Sequence, residues 1–359
     1  MQIHGRTRAL IGVLATAFCL AIPASALAAH DLGIYKVEKH VDLNSDETAV
    51  DIACASNDYA LDGMWRIDHA DQDDDDIYVT SIGRAVDVQE AYPQDSADPD
   101  SKFDSYHFDF NKNAIGRAQV KVWLVCIKSQ TEQASGHSHP IGFNPASGFP
   151  KKFTKVAGGG YAAWPGGVGT EGAYNAASAC PKNTFASTAG YKITPSGTDA
   201  APFVGHLSED WPTVTSGQYG WKWVMDLSQD ATAKVDFYLS CVDRKLAMFG
   251  GEKHKLVYRY QGPEDNTLPA NRVSTKRISC AAHYKAVVAG FTLGAGWANQ
   301  ADPNPDYNAP NPVVLTPNWW FLGMDPQPKS RDFRFLNATG SAATNKAHLY
   351  AICLNYRTT

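Results

Sequence analysis

The chain has 359 residues, 44% of them hydrophobic and 19% charged, with a formal net charge of −5. That apolar content supports packed cores and excludes wholesale disorder, while the small negative charge argues against a general nucleic-acid binder. Past the N-terminal segment no apolar run reaches the length of a membrane span.

Arg6 and Arg8, the apolar run from Ala9 to Ile22 and the small-residue site Ala26-Leu27-Ala28 follow one another in the order of an export signal. Residues 1–29 are therefore predicted to be cleaved, so that the mature chain starts at His30. Cleavage removes Cys19 from the seven cysteines and two positive charges, taking the net charge from −5 to −7. Six cysteines remain: Cys54, Cys126, Cys180, Cys241, Cys280 and Cys353. An even number in an exported chain points to disulfides.

The elements then recur in threes. Lead strands are expected at Ile34-Tyr35-Lys36-Val37, Phe153-Thr154-Lys155-Val156 and Lys255-Leu256-Val257-Tyr258. Eleven residues after Cys54, Cys180 and Cys280 stand Trp65, Tyr191 and Phe291, closely preceded by Gly63, Gly190 and Gly290. Next come strands with two aromatics on one face, Tyr106/Phe108, Trp221/Trp223 and Phe333/Phe335. Each lies 20 and 18 residues before Cys126, Cys241 or Cys353 and leads into a polar turn, so strand, turn and cysteine strand are expected to make a hairpin in all three copies. The closing strands alternate with period two, the signature of one buried face. Val120, Val122 and Leu124 precede Cys126, Val235, Phe237 and Leu239 precede Cys241, and Ala347, Leu349 and Ala351 precede Cys353.

Turn residues punctuate the chain throughout, and helix signals are sparse. The predicted fold is all-β, with three tandem homologous β-sandwich-like modules, each holding one disulfide. The boundaries are 30–130 for module 1, 131–150 for a linker, 151–250 for module 2 and 251–359 for module 3. The expected pairs are Cys54–Cys126, Cys180–Cys241 and Cys280–Cys353, with separations of 72, 61 and 73 residues. In the chain-entropy model each loop closed this way contributes about 4 kcal/mol. A cysteine, an aromatic eleven residues on and a distant second cysteine are similar to the pattern of an immunoglobulin domain. The tyrosine two residues before the second cysteine is replaced here by Leu124, Leu239 and Ala351, and six residues follow Cys353. The strand topology is therefore left unassigned.

Several groups are candidates for chemistry. Asp71, Asp73 and Asp75 fall in an acidic run that offers clustered oxygens for calcium, although the spacing of an EF-hand is missing. From Asp62 to Asp109 there are 14 acidic residues against three basic ones, so a solvated acidic loop is the alternative. His137-Ser138-His139 places two imidazoles on one side of an extended segment, as a metal pair needs, with no cysteine or carboxylate near in sequence to complete it. Trp297, Trp319 and Trp320 stand outside the repeat in a proline- and asparagine-rich stretch and are candidates for stacking on a ligand such as a sugar ring. The sequon Asn337-Ala338-Thr339 is expected in an exposed hairpin turn. No Gly-x-Ser-x-Gly elbow occurs, and every mature cysteine is assigned to a bridge, which leaves no catalytic residue to nominate.

The functional expectation is a secreted, non-enzymatic, multi-module protein for extracellular binding or assembly: adhesion, a surface or matrix component, or glycan recognition. Its partners would be an extracellular glycan, a protein surface or further copies of itself. The alternatives are a secreted polysaccharide hydrolase using loop carboxylates and a calcium-dependent surface protein.

Overall fold

The computed structural model describes residues 30–43, 47–69, 86–94, 104–112, 118–134, 136–145, 151–155, 173–195, 205–227, 233–246, 248, 253–270, 272–292, 319–337 and 343–358. Among them there is no helix, and the fold is all-β. The first third of the chain supplies β1 (Ile34–Leu43), β2 (Glu47–Ala53), β3 (Tyr59–His69), β4 (Val86–Gln94), β5 (Ser105–Lys112) and β6 (Ala118–Ile127). The middle supplies β7 (Phe143–Pro145), β8 (Lys151–Lys155), β9 (Ala173–Ala179), β10 (Thr184–Pro195), β11 (Gly205–Thr215), β12 (Gln218–Leu227) and β13 (Ala233–Asp243). The last third supplies β14 (His254–Leu268), β15 (Arg272–Ser279), β16 (Lys285–Thr292), β17 (Trp319–Gln327), β18 (Ser330–Asn337) and β19 (Ala343–Thr358).

These strands form three sheets, each drawn from two thirds of the chain. The first runs β1-β6-β3-β17-β18-β15, the second β2-β5-β4-β10-β13-β7 with β8 also on β13, and the third β14-β19-β16-β11-β12-β9. Every described strand pairing is antiparallel. The seams between thirds are narrow. Gly323 pairs with Arg66 across β17 and β3, Tyr191 and Lys192 pair with Ala91 and Glu90 across β10 and β4, and Glu209 and Asp210 pair with Thr292 and Phe291 across β11 and β16. Two seams need glycine. A Cβ on Gly290 would sit under 3.0 Å from the backbone of Asp210 and Trp211, and one on Gly323 would collide equally with that of Trp65 and Arg66.

Local detail recurs with the sequence. Disulfides join Cys54–Cys126, Cys180–Cys241 and Cys280–Cys353. Three residues after the first cysteine of each pair, Asn57, Asn183 and His283 take the left-handed conformation, which asparagine tolerates well and histidine more than most. The turn closes each time with the same backbone bond, Asp58 to Ala55, Thr184 to Pro181 and Tyr284 to Ala281. Alanine stands opposite the second cysteine in all three places (Ala60, Ala186 and Ala286), and a β-bulge follows directly.

The core is built by the aromatic strands. Tyr106, Phe108, Trp221, Trp223, Phe333 and Phe335 are all buried, together with the inward residues of β6, β13 and β19. Asn337 departs from expectation. It is fully buried and its side-chain amide donates to the Leu268 carbonyl at 2.9 Å, so the sequon asparagine serves as an internal tie between β18 and the end of β14 rather than an exposed acceptor.

Candidate metal centre

The histidine pair belongs to a tight hairpin between β6 and β7. Gln130 pairs with Pro140, and Ala134 and His137 exchange both backbone hydrogen bonds around a turn in which Gly136 has φ +82°. On the returning arm the Thr131 amide donates to the His139 carbonyl at 3.0 Å, and the His139 amide donates to the Thr131 hydroxyl oxygen at 2.9 Å. Ile141 is buried in the core and holds the base of the arm. Side chains two apart on an extended arm share a face, so both imidazoles turn the same way, with ring centroids 5.0 Å apart. This hairpin begins just before, and extends through, the first part of the stretch whose composition reads as a linker.

Two further histidines meet that face, neither near it in sequence. His30 lies four residues before β1, on a strap anchored by buried Leu32 and by backbone bonds from Glu132 to the Asp31 carbonyl and from Lys128 to the Gly33 carbonyl. Lys285 of β16 holds the same strap, donating to the Leu32 carbonyl at 2.8 Å and pairing with Asp31 at 3.3 Å. His254 opens β14, and its carbonyl accepts from the Leu246 amide.

The ring centroids of His30 lie 4.8 Å from His137, 4.7 Å from His139 and 5.2 Å from His254, while His139 and His254 are 4.1 Å apart. One ligand nitrogen from each of the four lies within 4.8 Å of the other three. His30, His139 and His254 are buried and His137 is half-buried.

The surrounding hydrogen bonds orient the rings. His30 Nδ1 lies 3.0 Å from the Glu132 carbonyl oxygen. A carbonyl only accepts, so Nδ1 carries the proton and Nε2 presents its lone pair. Such a hydrogen bond from the far nitrogen to a backbone carbonyl is the usual support of a metal-bound histidine. His254 is held through Nδ1 by a hydrogen bond with the Tyr356 hydroxyl, and its ring stacks on Tyr356 at 4.8 Å and 23°.

This donor set fits a transition metal. Zinc–imidazole bonds of about 2.0–2.1 Å put tetrahedral ligand nitrogens about 3.3 Å apart, against separations of up to 4.8 Å in the cluster. Neutral imidazole suits zinc, copper and nickel, and oxygen donors suit calcium and magnesium. Structural cysteines do not compete, because all six described ones are in disulfides. Four imidazoles, three of them buried, concentrate acceptor and donor groups that apolar packing alone would not favour, and a divalent ion gives them a common partner.

Asp71, Asp73, Asp75 and Trp297 lie outside the described residues, and so do the side chains of Trp319 and Trp320, whose backbone forms the start of β17. A small cavity where the seams meet is lined by Asp62, Tyr106, Tyr191, Asp210, Trp221 and Phe291 among others. Its free volume is about 10 Å³, room for about one water molecule. No helix among the described residues is long and apolar enough to cross a membrane. No known family model matches the chain, and no curated protein matches it in sequence.

Proposed function

We propose that this is an exported protein of three homologous disulfide-stapled β modules, serving extracellular binding or assembly rather than catalysis, and that its specific ligand is a divalent transition metal ion. The observation that carries the metal reading is the convergence of His30, His137, His139 and His254 in a largely buried cluster. The thrice-repeated turn, the alanine opposite each closing cysteine and the strand orders β1-β6-β3 and β14-β19-β16 support the module reading. In each third the strands divide between two sheets, as a sandwich-like unit would require. Three disulfides fit an oxidising compartment.

The metal is held by neutral ligands, so the bound site keeps the ion's positive charge, and no described carboxylate belongs to the four-residue set. With all four imidazoles engaged the site is of the closed type that holds rather than transforms. Calorimetric titration of chelator-treated protein with zinc chloride, repeated with copper(II), is expected to give one ion per chain. His139→Ala is expected to weaken binding at least about tenfold, the scale seen when ligand geometry is lost. Equal affinity in wild type and variant would refute the assignment.

A further inference from the structure

The four histidines belong to three different sheet edges. His30 leads into β1, the edge of the first sheet; the His137/His139 hairpin leads into β7, an edge of the second; and His254 opens β14, the edge of the third. The disulfides do nothing comparable, since each closes a loop within one third of the chain. Between thirds the sheets are joined by one or two residue pairs per seam, and the start of β14 adds a bridge from Lys255 to Lys245. Building on the metal reading above, we infer that the ion is the cross-link the disulfides do not provide: a clip that pins one edge of all three sheets to a single point.

The physical case rests on loop closure and linkage. A ligand that binds only the assembled arrangement stabilises it in proportion to its occupancy, and metal binding to a site made of distant segments is coupled to the ordering of those segments. Here the segments are the strap His30–Gly33, the hairpin arms around Thr131 and His139, and the paired ends at Leu246 and His254, where Leu246 and Leu256 bond to His254 and Arg244. The strap has the most to gain. Its ties include backbone bonds, buried Leu32, the hydrogen bonds from His30 Nδ1 to the Glu132 carbonyl and from Lys285 to the Leu32 carbonyl, and the half-exposed Lys285–Asp31 pair; exposed ion pairs add little. Fixing His30 at the ion therefore converts a weakly held end into part of the frame.

The test is amide hydrogen exchange on the full disulfide-bonded chain, with and without stoichiometric zinc chloride, beside a binding titration. Zinc is expected to slow exchange about tenfold or more in the strap, the hairpin and the start of β14 together, with smaller changes elsewhere. His30→Ala is expected to keep measurable zinc binding through three imidazoles and the protection of the hairpin and β14, while losing that of the strap. If zinc binds and protects the hairpin alone, the clip is wrong and the metal site stands. If no zinc binds at all, both are wrong.

Discussion

Asp210 sits on the seam between β11 and β16, beside the small cavity, and its carboxylate accepts a hydrogen bond from Trp221 Nε1. Burial pushes its pKa up to about 7, opposed by that hydrogen bond. The unfolded chain titrates this group near 3.8, so between pH 4 and 7 the folded state binds the extra proton. Its favourable contribution is therefore complete below pH 4 and lost as pH rises through 7. Asp210→Asn keeps an acceptor for Trp221 and removes the charge. It is expected to raise the melting temperature by a few degrees at pH 8 and to leave it unchanged at pH 4, as calorimetry at the two pH values would show. Histidine illustrates what single residues disclose in sequence. His137 and His139 were legible as a pair because period two puts them on one face. His30 and His254 were not, because nothing local distinguishes them. Only the convergence of three sheet edges makes them neighbours.

At the scale of elements, the seam between β3 and β17 carries a buried ion pair. Arg331 Nε approaches Asp62 Oδ2 at 3.8 Å with both side chains almost wholly enclosed, and Arg331 Nη1 donates to the Gln327 and Ser330 carbonyls. Burial dominates both partners. It raises the Asp62 pKa well above its usual value against the pull of Arg331, and lowers that of Arg331 to about 10 against the pull of Asp62. Desolvation thus offsets much of the attraction, which makes the pair a better specifier of register than a source of stability. Arg331→Met alone is expected to cost about 3 kcal/mol in denaturant unfolding, and Asp62→Leu with Arg331→Met to recover most of it. A double variant that stays as unstable as Arg331→Met alone would show the pair to be a net stabiliser relative to its apolar replacement. Part of this scale was legible in the sequence: alternation marks the strands with one buried face, and β1, β8 and β14 lie at or within two residues of the expected lead strands. The hairpins expected between each aromatic strand and its cysteine strand do not form, because β5, β12 and β18 lie in different sheets from β6, β13 and β19, and sequence proximity does not report which sheet a strand joins. The seams were not legible. They rest on one or two residue pairs, and the signs they leave, such as Gly290 and Gly323, read equally as turn or bulge positions.

At the scale of the whole molecule, three sheets each borrow strands from two thirds of the chain, so each third leans on both others. Covalent staples secure the thirds internally, narrow seams join them, and the histidine cluster gathers one edge of every sheet. The proposed metal centre takes its place here, where side chains from one edge of each sheet converge. X-ray absorption of the zinc-loaded full chain tests that directly. The account predicts a nitrogen shell at about 2.0 Å with the outer-shell scattering of four imidazoles, falling to three in His254→Ala. A shell of oxygen or sulfur, or one with no more than two imidazoles, would contradict it.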